Sequence, residues 1–163
     1  MKKHFKMLIA GSLLLMASAA ASADVTVNFI KPEDFPDMPF SPVDRDAVLK
    51  DISDYFVKLG KNLPAGTDLR IDVLDLDLAG RLEPSRRGAR DLRILRGGAD
   101  WPRMTLRYTV ETGGKVVDSG DATLQDMNYQ SNGRRTSDSD PLRYEKHMID
   151  EWFYKAVAPR KAG

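Results

Sequence analysis

Hydrophobic and polar positions alternate most regularly over Leu69 to Gly80, LRIDVLDLDLAG, where Leu69, Ile71 and Val73 are set against Arg70 and Asp72. A period of two is that of a half-buried strand. Past Val73 the phase slips by one, since Leu74, Leu76 and Leu78 now alternate with Asp75 and Asp77. A slip would turn the aspartates inward, so the pattern predicts a bulge near Val73 and Leu74, or a short length buried on both faces. The same period marks Val25 to Ile30, with Val25, Val27 and Phe29 on one face. It also marks Arg103 to Glu111, with Met104, Leu106, Tyr108 and Val110 inward.

Two segments change to a helical period. Ser41, Pro42 and Asp44 supply an N-cap, a proline at the first helical position and a carboxylate at the capping-box position. Val48, Ile52, Tyr55, Phe56, Leu59 and Leu63 then recur at three and four, and Gly60 and Pro64 mark the end. Asp140-Pro141 opens a second helix, with Leu142, Met148, Ile149, Trp152, Phe153 and Ala156 on its buried face. Strand, helix and strand make a crossover that sets Val25 to Ile30 parallel to Leu69 to Leu78. The hairpin after Val110 is predicted to turn through a three-residue loop, Thr112 to Gly114, pairing Glu111 with Lys115 and Val110 with Val116.

Between these periodic stretches lie irregular ones. The four prolines of KPEDFPDMPFSP forbid regular structure, so Phe35, Met38 and Phe40 are expected to peg the loop across the core edge. Asp91 to Arg96 is expected as a short strand, with Glu83 to Ala89 a loop before it and the polar run Gln130 to Asp140 a loop after the hairpin. The elements define an α+β fold, a two-layer sandwich with a mixed β-sheet of four to five strands and two helices packed on one face.

Residues 1–23 stand apart from this fold. Lys2, Lys3 and Lys6 precede an apolar run from Met7 to Met16 and a small-residue stretch, Ala21-Ser22-Ala23, the pattern of a secretory signal. The expectation is a periplasmic or secreted protein cleaved between Ala23 and Asp24, with residues 24–163 as one domain and no transmembrane segment in the mature chain. The chain has no cysteine, which removes disulfides and a lipidation site from consideration. Setting aside the three signal lysines leaves 22 basic residues against 24 acidic, a net charge near minus 2. That balance argues against nucleic acid as a partner.

Catalytic and metal signatures are thin. His147 is the single histidine after the signal, mid-helix with Glu151 four residues on, and is expected to be a paired boundary residue. A structural zinc site is excluded by the same count, no phosphate-binding glycine motif is complete, and no cofactor is expected. Asp72, Asp75 and Asp77 are expected on a solvated strand face paired with arginines. Partner-binding character rests on eight arginines between Arg81 and Arg107, of which Arg81, Arg86, Arg87 and Arg90 surround a glycine- and proline-containing loop. A guanidinium presents a planar fork suited to phosphate and carboxylate. The competing expectation is that Glu83, Asp91, Asp100 and the acidic strand neutralise these arginines locally. The functional expectation is a non-catalytic envelope accessory or binding protein that recognises a protein or an anionic envelope component. The alternative is a carboxylate-dependent hydrolase using Asp75 or Asp77 with Asp126 as acid and base.

The segments VNFIKPEDFPD, DVLDLDLAG, WPRMTLRYTV, GDATLQDMNY and LRYEKHMIDEWF, in this order, resemble a family of exported bacterial proteins classed as domain of unknown function 3016. The resemblance covers nearly all of residues 24–163. It implies a single periplasmic or secreted domain and assigns no activity.

Overall fold

A computed structural model describes residues 23–83, 92–131 and 139–158. Strand β1 (Val25–Phe29) lies parallel to β2 (Thr67–Asp77), with Val25 opposite Leu69 and Phe29 opposite Val73, and helix α1 (Pro42–Gly60) connects them. Strands β5 (Arg103–Thr112) and β6 (Lys115–Gln125) extend the sheet antiparallel in the order β1-β2-β5-β6. Between β2 and β5, the three-residue strands β3 (Arg81–Glu83) and β4 (Leu92–Ile94) pair with each other in a separate two-stranded sheet. Helix α2 (Arg143–Trp152) closes the fold and loosens into a wider π-helical turn over Phe153–Val157. The architecture is the predicted α+β sandwich. Its mixed sheet has four strands, because the segment expected at Asp91 to Arg96 forms β4 of a separate ribbon.

One core joins both layers. Ile52, Phe56 and Leu59 of α1 and Met148 and Ile149 of α2, with Phe153 beyond it, pack on Leu69, Ile71, Val73, Leu76, Met104 and Leu106 of the sheet. Seen this way, α1 buries Leu49 as well, and Val48 only flanks the core. The helix starts as its sequence dictates: Ser41 Oγ accepts the Asp44 N–H at 3.4 Å, with Pro42 in the first turn. The two helices are tied together by Lys146, buried on α2, whose ammonium donates to Asp51 of α1 at 2.9 Å and to Asp140 at 2.8 Å. Tyr55 of α1 likewise donates to Asp150 at 2.7 Å.

The phase slip in β2 is a bulge. The β2–β5 register shifts between Val73 and Asp75, so Val73 and Leu76 both face the core while Leu74 is turned out. The expected double-sided burial occurs too, further along, from Leu76 to Gly80. The sheet face away from the helices is polar, with Asn28 donating to Asp72 at 2.8 Å and Arg107 paired with Asp121 at 2.8 Å.

Three local expectations are corrected. The hairpin turns through two residues, with Thr112 opposite Lys115 and Glu111 opposite Val116, and a bulge then sets Val110 opposite Asp118. Gly113 and Gly114 both have positive φ, which suits the tight turn. The bulge recovers the face that the three-residue loop was invoked to protect: Ala122 and Leu124 sit opposite Leu106 and Met104, two residues out of the predicted register. Phe40 is 72% exposed while Phe35 and Met38 are buried. It precedes the cap of α1, where a hydrophobic partner would stand at residue 45, and that residue is Arg45. Ala156 is exposed because the π-helical turn, closed by Ala158 N–H donating to Phe153 O at 2.8 Å, rotates it off the buried stripe.

Candidate functional site

The end of the sheet where β2 leaves it is built into a cleft of about 380 Å³, lined by Asp37, Asp77, Arg81, Arg96, Asp100 and Arg103, with Ile94, Gly97 and Ala99. Each wall has a local cause. Gly80 takes φ 82 and lets the chain leave β2 for β3; a Cβ there would stand 2.6 Å from the Ile94 carbonyl. The turn is fixed by Gly80 N–H donating to Asp100 O at 2.8 Å. Asp100 in turn gathers the 96–100 loop, its carboxylate accepting from Arg96 N–H at 2.9 Å and from the Tyr129 hydroxyl at 2.8 Å. The opposite wall is the proline-rich segment, anchored by Phe35 and Met38, where Asp37 holds φ 51.

The small ribbon is fastened by Arg93. Its Nε donates to Ala79 O at 2.5 Å, one Nη donates to Pro141 O at 2.5 Å, and the other pairs with Glu145. Glu145 is fully buried on α2 and also accepts the Ala79 N–H at 2.8 Å. The ion pair therefore joins the end of β2, strand β4 and the start of α2, and it fixes where Arg81 and Arg96 emerge.

The electrostatics of the cleft divide its groups. Asp77 is engaged by Arg103, whose Nη2 and Nε reach the same carboxylate oxygen at 2.5 and 3.2 Å. Asp100 is pushed up by burial, but the N–H and hydroxyl donors around it outweigh that and hold it below the usual carboxylate range. The same contact, added to burial, pushes Tyr129 up to about 12. Asp37 goes the other way. Desolvation at the cleft wall and the Asp77 carboxyl within hydrogen-bonding reach raise it, against the lowering charges of Arg81 and Arg93. The cleft's carboxylates are thus occupied by internal donors or by each other. Its guanidiniums are not saturated, since Arg96 gives one nitrogen to Glu83 at 3.3 Å, Arg103 turns one edge to Asp77, and Arg81 is exposed. The unused hydrogen-bonding capacity is that of these donors and of the exposed Asp37 carboxyl.

Of the arginines singled out in the sequence, Arg81 lies in this cleft, and Arg86, Arg87 and Arg90 lie outside the described residues. Arg96 meets Glu83 and Arg103 meets Asp77 of the acidic strand, as the local-neutralisation expectation had it, whereas Arg93 and Arg107 meet Glu145 and Asp121, acids that it did not name. The hydrolase pair does not converge. Asp77 stands opposite Arg103, and Arg103 opposite Gln125, so Asp77 and the neighbourhood of Asp126 are separated by two strand spacings, about 10 Å. Asp126 is buried and accepts the Asn128 N–H at 3.0 Å. Asp75 lies opposite Thr105. His147 contacts Glu151 at 3.4 Å, as its spacing predicted. Among the described residues no three metal-binding side chains form a group that could hold an ion. Asp37, Glu145 and Lys146 were not legible as site or scaffold residues, since their partners lie on other elements.

The fold and the cleft define a small α+β sandwich domain with an arginine-lined, polar cleft at one end of its sheet. The chain belongs to the family described as "Protein of unknown function (DUF3016)", which matches residues 23–155. It matches none of the curated proteins compared with it. It is similar to the crystal structure of a protein from Xanthomonas campestris of the family DUF330, at 14% identity and a TM-score of 0.31, over 82% of this chain and 79% of that one.

Proposed function

We propose that this chain works outside the cytoplasm as a non-catalytic binding domain that takes an anionic component of the cell envelope at the cleft. The signal-like pattern of residues 1–23 supports the compartment. No helix among the described residues is long and apolar enough to cross a membrane. The observation that carries the binding reading is the convergence of Arg81, Arg96 and Arg103 on one cleft in which Asp77 and Asp100 already have donors. Arg86, Arg87 and Arg90 belong to the sequence between β3 and β4 and add to the basic charge of this part of the chain. Phosphate and carboxylate groups are the chemistry these donors suit.

The test is binding to anionic phospholipid vesicles and to peptidoglycan at low salt. Replacing Arg81 and Arg96 by serine, or Arg86, Arg87 and Arg90 by serine, is expected to weaken binding about tenfold or more, while the melting temperature stays within about 2 °C. Equal binding by the variants and the native chain would end the proposal. The hydrolase reading keeps one supporting contact, between Asp37 and Asp77, which is a different pair from that expected in the sequence.

A further inference from the structure

A plain anion site would be walled by donors alone, and this cleft has a carboxyl placed among them. Asp37 is held there by its own segment, with Phe35 and Met38 buried on either side and a left-handed backbone between them. Its backbone is thereby fixed at the cleft wall. The groups that face it come from every neighbouring element: Asp77 from β2, itself held by Arg103 of β5; Arg81 from β3; Arg93 from β4; and Arg96 and Asp100 from the loop that follows. Of the acids, Asp77 is committed to Arg103 and Asp100 to Tyr129 and the Arg96 N–H. Asp37 forms no ion pair with a described residue and is exposed; the Asp77 carboxyl lies within its hydrogen-bonding reach, and its solvent-facing oxygen is the acceptor that the cleft offers.

We infer that the cleft selects an oxyanion carrying its own proton, the hydrogen-phosphate group of inorganic phosphate or of a phosphate monoester, over one without a proton, such as sulfate or a phosphate diester. Asp37 makes the choice. An ionised Asp37 accepts a hydrogen bond from the P–OH, while Arg81 and Arg96 take the remaining oxygens in charge-assisted bonds. Sulfate offers no proton, so its lone pairs and those of Asp37 would face each other across the cleft. Sites built around a hydrogen bond to a ligand reject analogues that lack it far more strongly than apolar pockets reject a missing methylene. The inference rests on the anion-binding reading above and adds the ligand's chemistry to it.

The experiment titrates the full chain with sodium phosphate and with sodium sulfate near pH 6 at low salt, following backbone amide resonances. At that pH inorganic phosphate is mostly dihydrogen phosphate, and roughly half of a phosphate monoester also retains its second proton. Phosphate is expected to bind about tenfold more tightly than sulfate, the size of one hydrogen bond to a charged group. In Asp37→Asn the amide can donate to either ion, so sulfate affinity should rise and the ratio fall toward one. In the native chain, lowering the pH until Asp37 is protonated should also raise sulfate affinity, a readout that needs no variant. Vesicles containing phosphatidic acid, compared with vesicles containing phosphatidylglycerol, separate a lipid-borne monoester from the free ion; preference for phosphatidic acid, or for inorganic phosphate over sulfate, supports the inference. Equal affinity for phosphate and sulfate in the native chain, unchanged by Asp37→Asn, overturns it and leaves the anion cleft standing. Failure of both ions to bind, with Arg81→Ser indistinguishable from the native chain, overturns both.

Discussion

Asp37 is a carboxyl whose charge the fold disfavours. Partial desolvation and the nearby Asp77 carboxyl make its proton harder to remove in the folded chain than in the unfolded one. A carboxyl with a raised folded pKa contributes stability that is complete below the unfolded value of about 3.9 and is lost as pH rises through the folded value. Ionised Asp37 is therefore a cost at neutral pH. Asn tolerates the left-handed backbone at this position and carries no charge. Thermal melts should accordingly show Asp37→Asn more stable than the native chain at pH 7, with the difference shrinking as pH falls toward 4. A variant less stable at both pH values would contradict the assignment. Nothing in the sequence marks this residue. The proline-rich segment has no period, and the carboxyl that perturbs Asp37 lies forty residues away in the chain. Ser41 was legible for the opposite reason, since the donor that its side chain meets is three residues on.

At the scale of elements, the long strands and the first helix follow from periodicity because each buries one face along most of its length. The ribbon of β3 and β4 does not, for three residues cannot establish a period, and its position depends on a contact with α2 made by Arg93. That contact is the element-level prediction. Removing one partner of a buried ion pair leaves the other charge without compensation, and one Glu145 oxygen is already buried without a hydrogen bond among the described residues. Arg93→Ala should lower stability by about 3 kcal/mol, discounted from the fully buried case because part of the Arg93 side chain reaches solvent. Chemical denaturation would measure it. A loss below about 0.5 kcal/mol, the level of an ordinary surface substitution, would show that the ribbon is not fastened this way. The hairpin of β5 and β6 teaches a related lesson. The buried face of β6 was legible from Ala122 and Leu124, but two turns can deliver that face once a bulge is allowed, and the sequence near Val117 does not choose between them.

For the whole molecule, two helices and a four-stranded sheet enclose one core, and charged side chains from five segments meet in the cleft at one end of that sheet. The arginine-rich composition was visible in the sequence, and so was its competing explanation by local pairing. What required coordinates was the division of labour: Arg93 holds the scaffold, Arg103 restrains Asp77, and Arg81 and Arg96 face the opening. The account stands on the claim that this opening receives an anion. Its most direct test is to titrate the isotopically labelled full chain with inorganic phosphate at low salt and map the amides that shift. Saturable shifts confined to Asp37, Arg81, Arg96 and Gly97, and lost when Arg81 and Arg96 are serine, are the predicted result; shifts scattered over the surface, or unchanged in that variant, would contradict it.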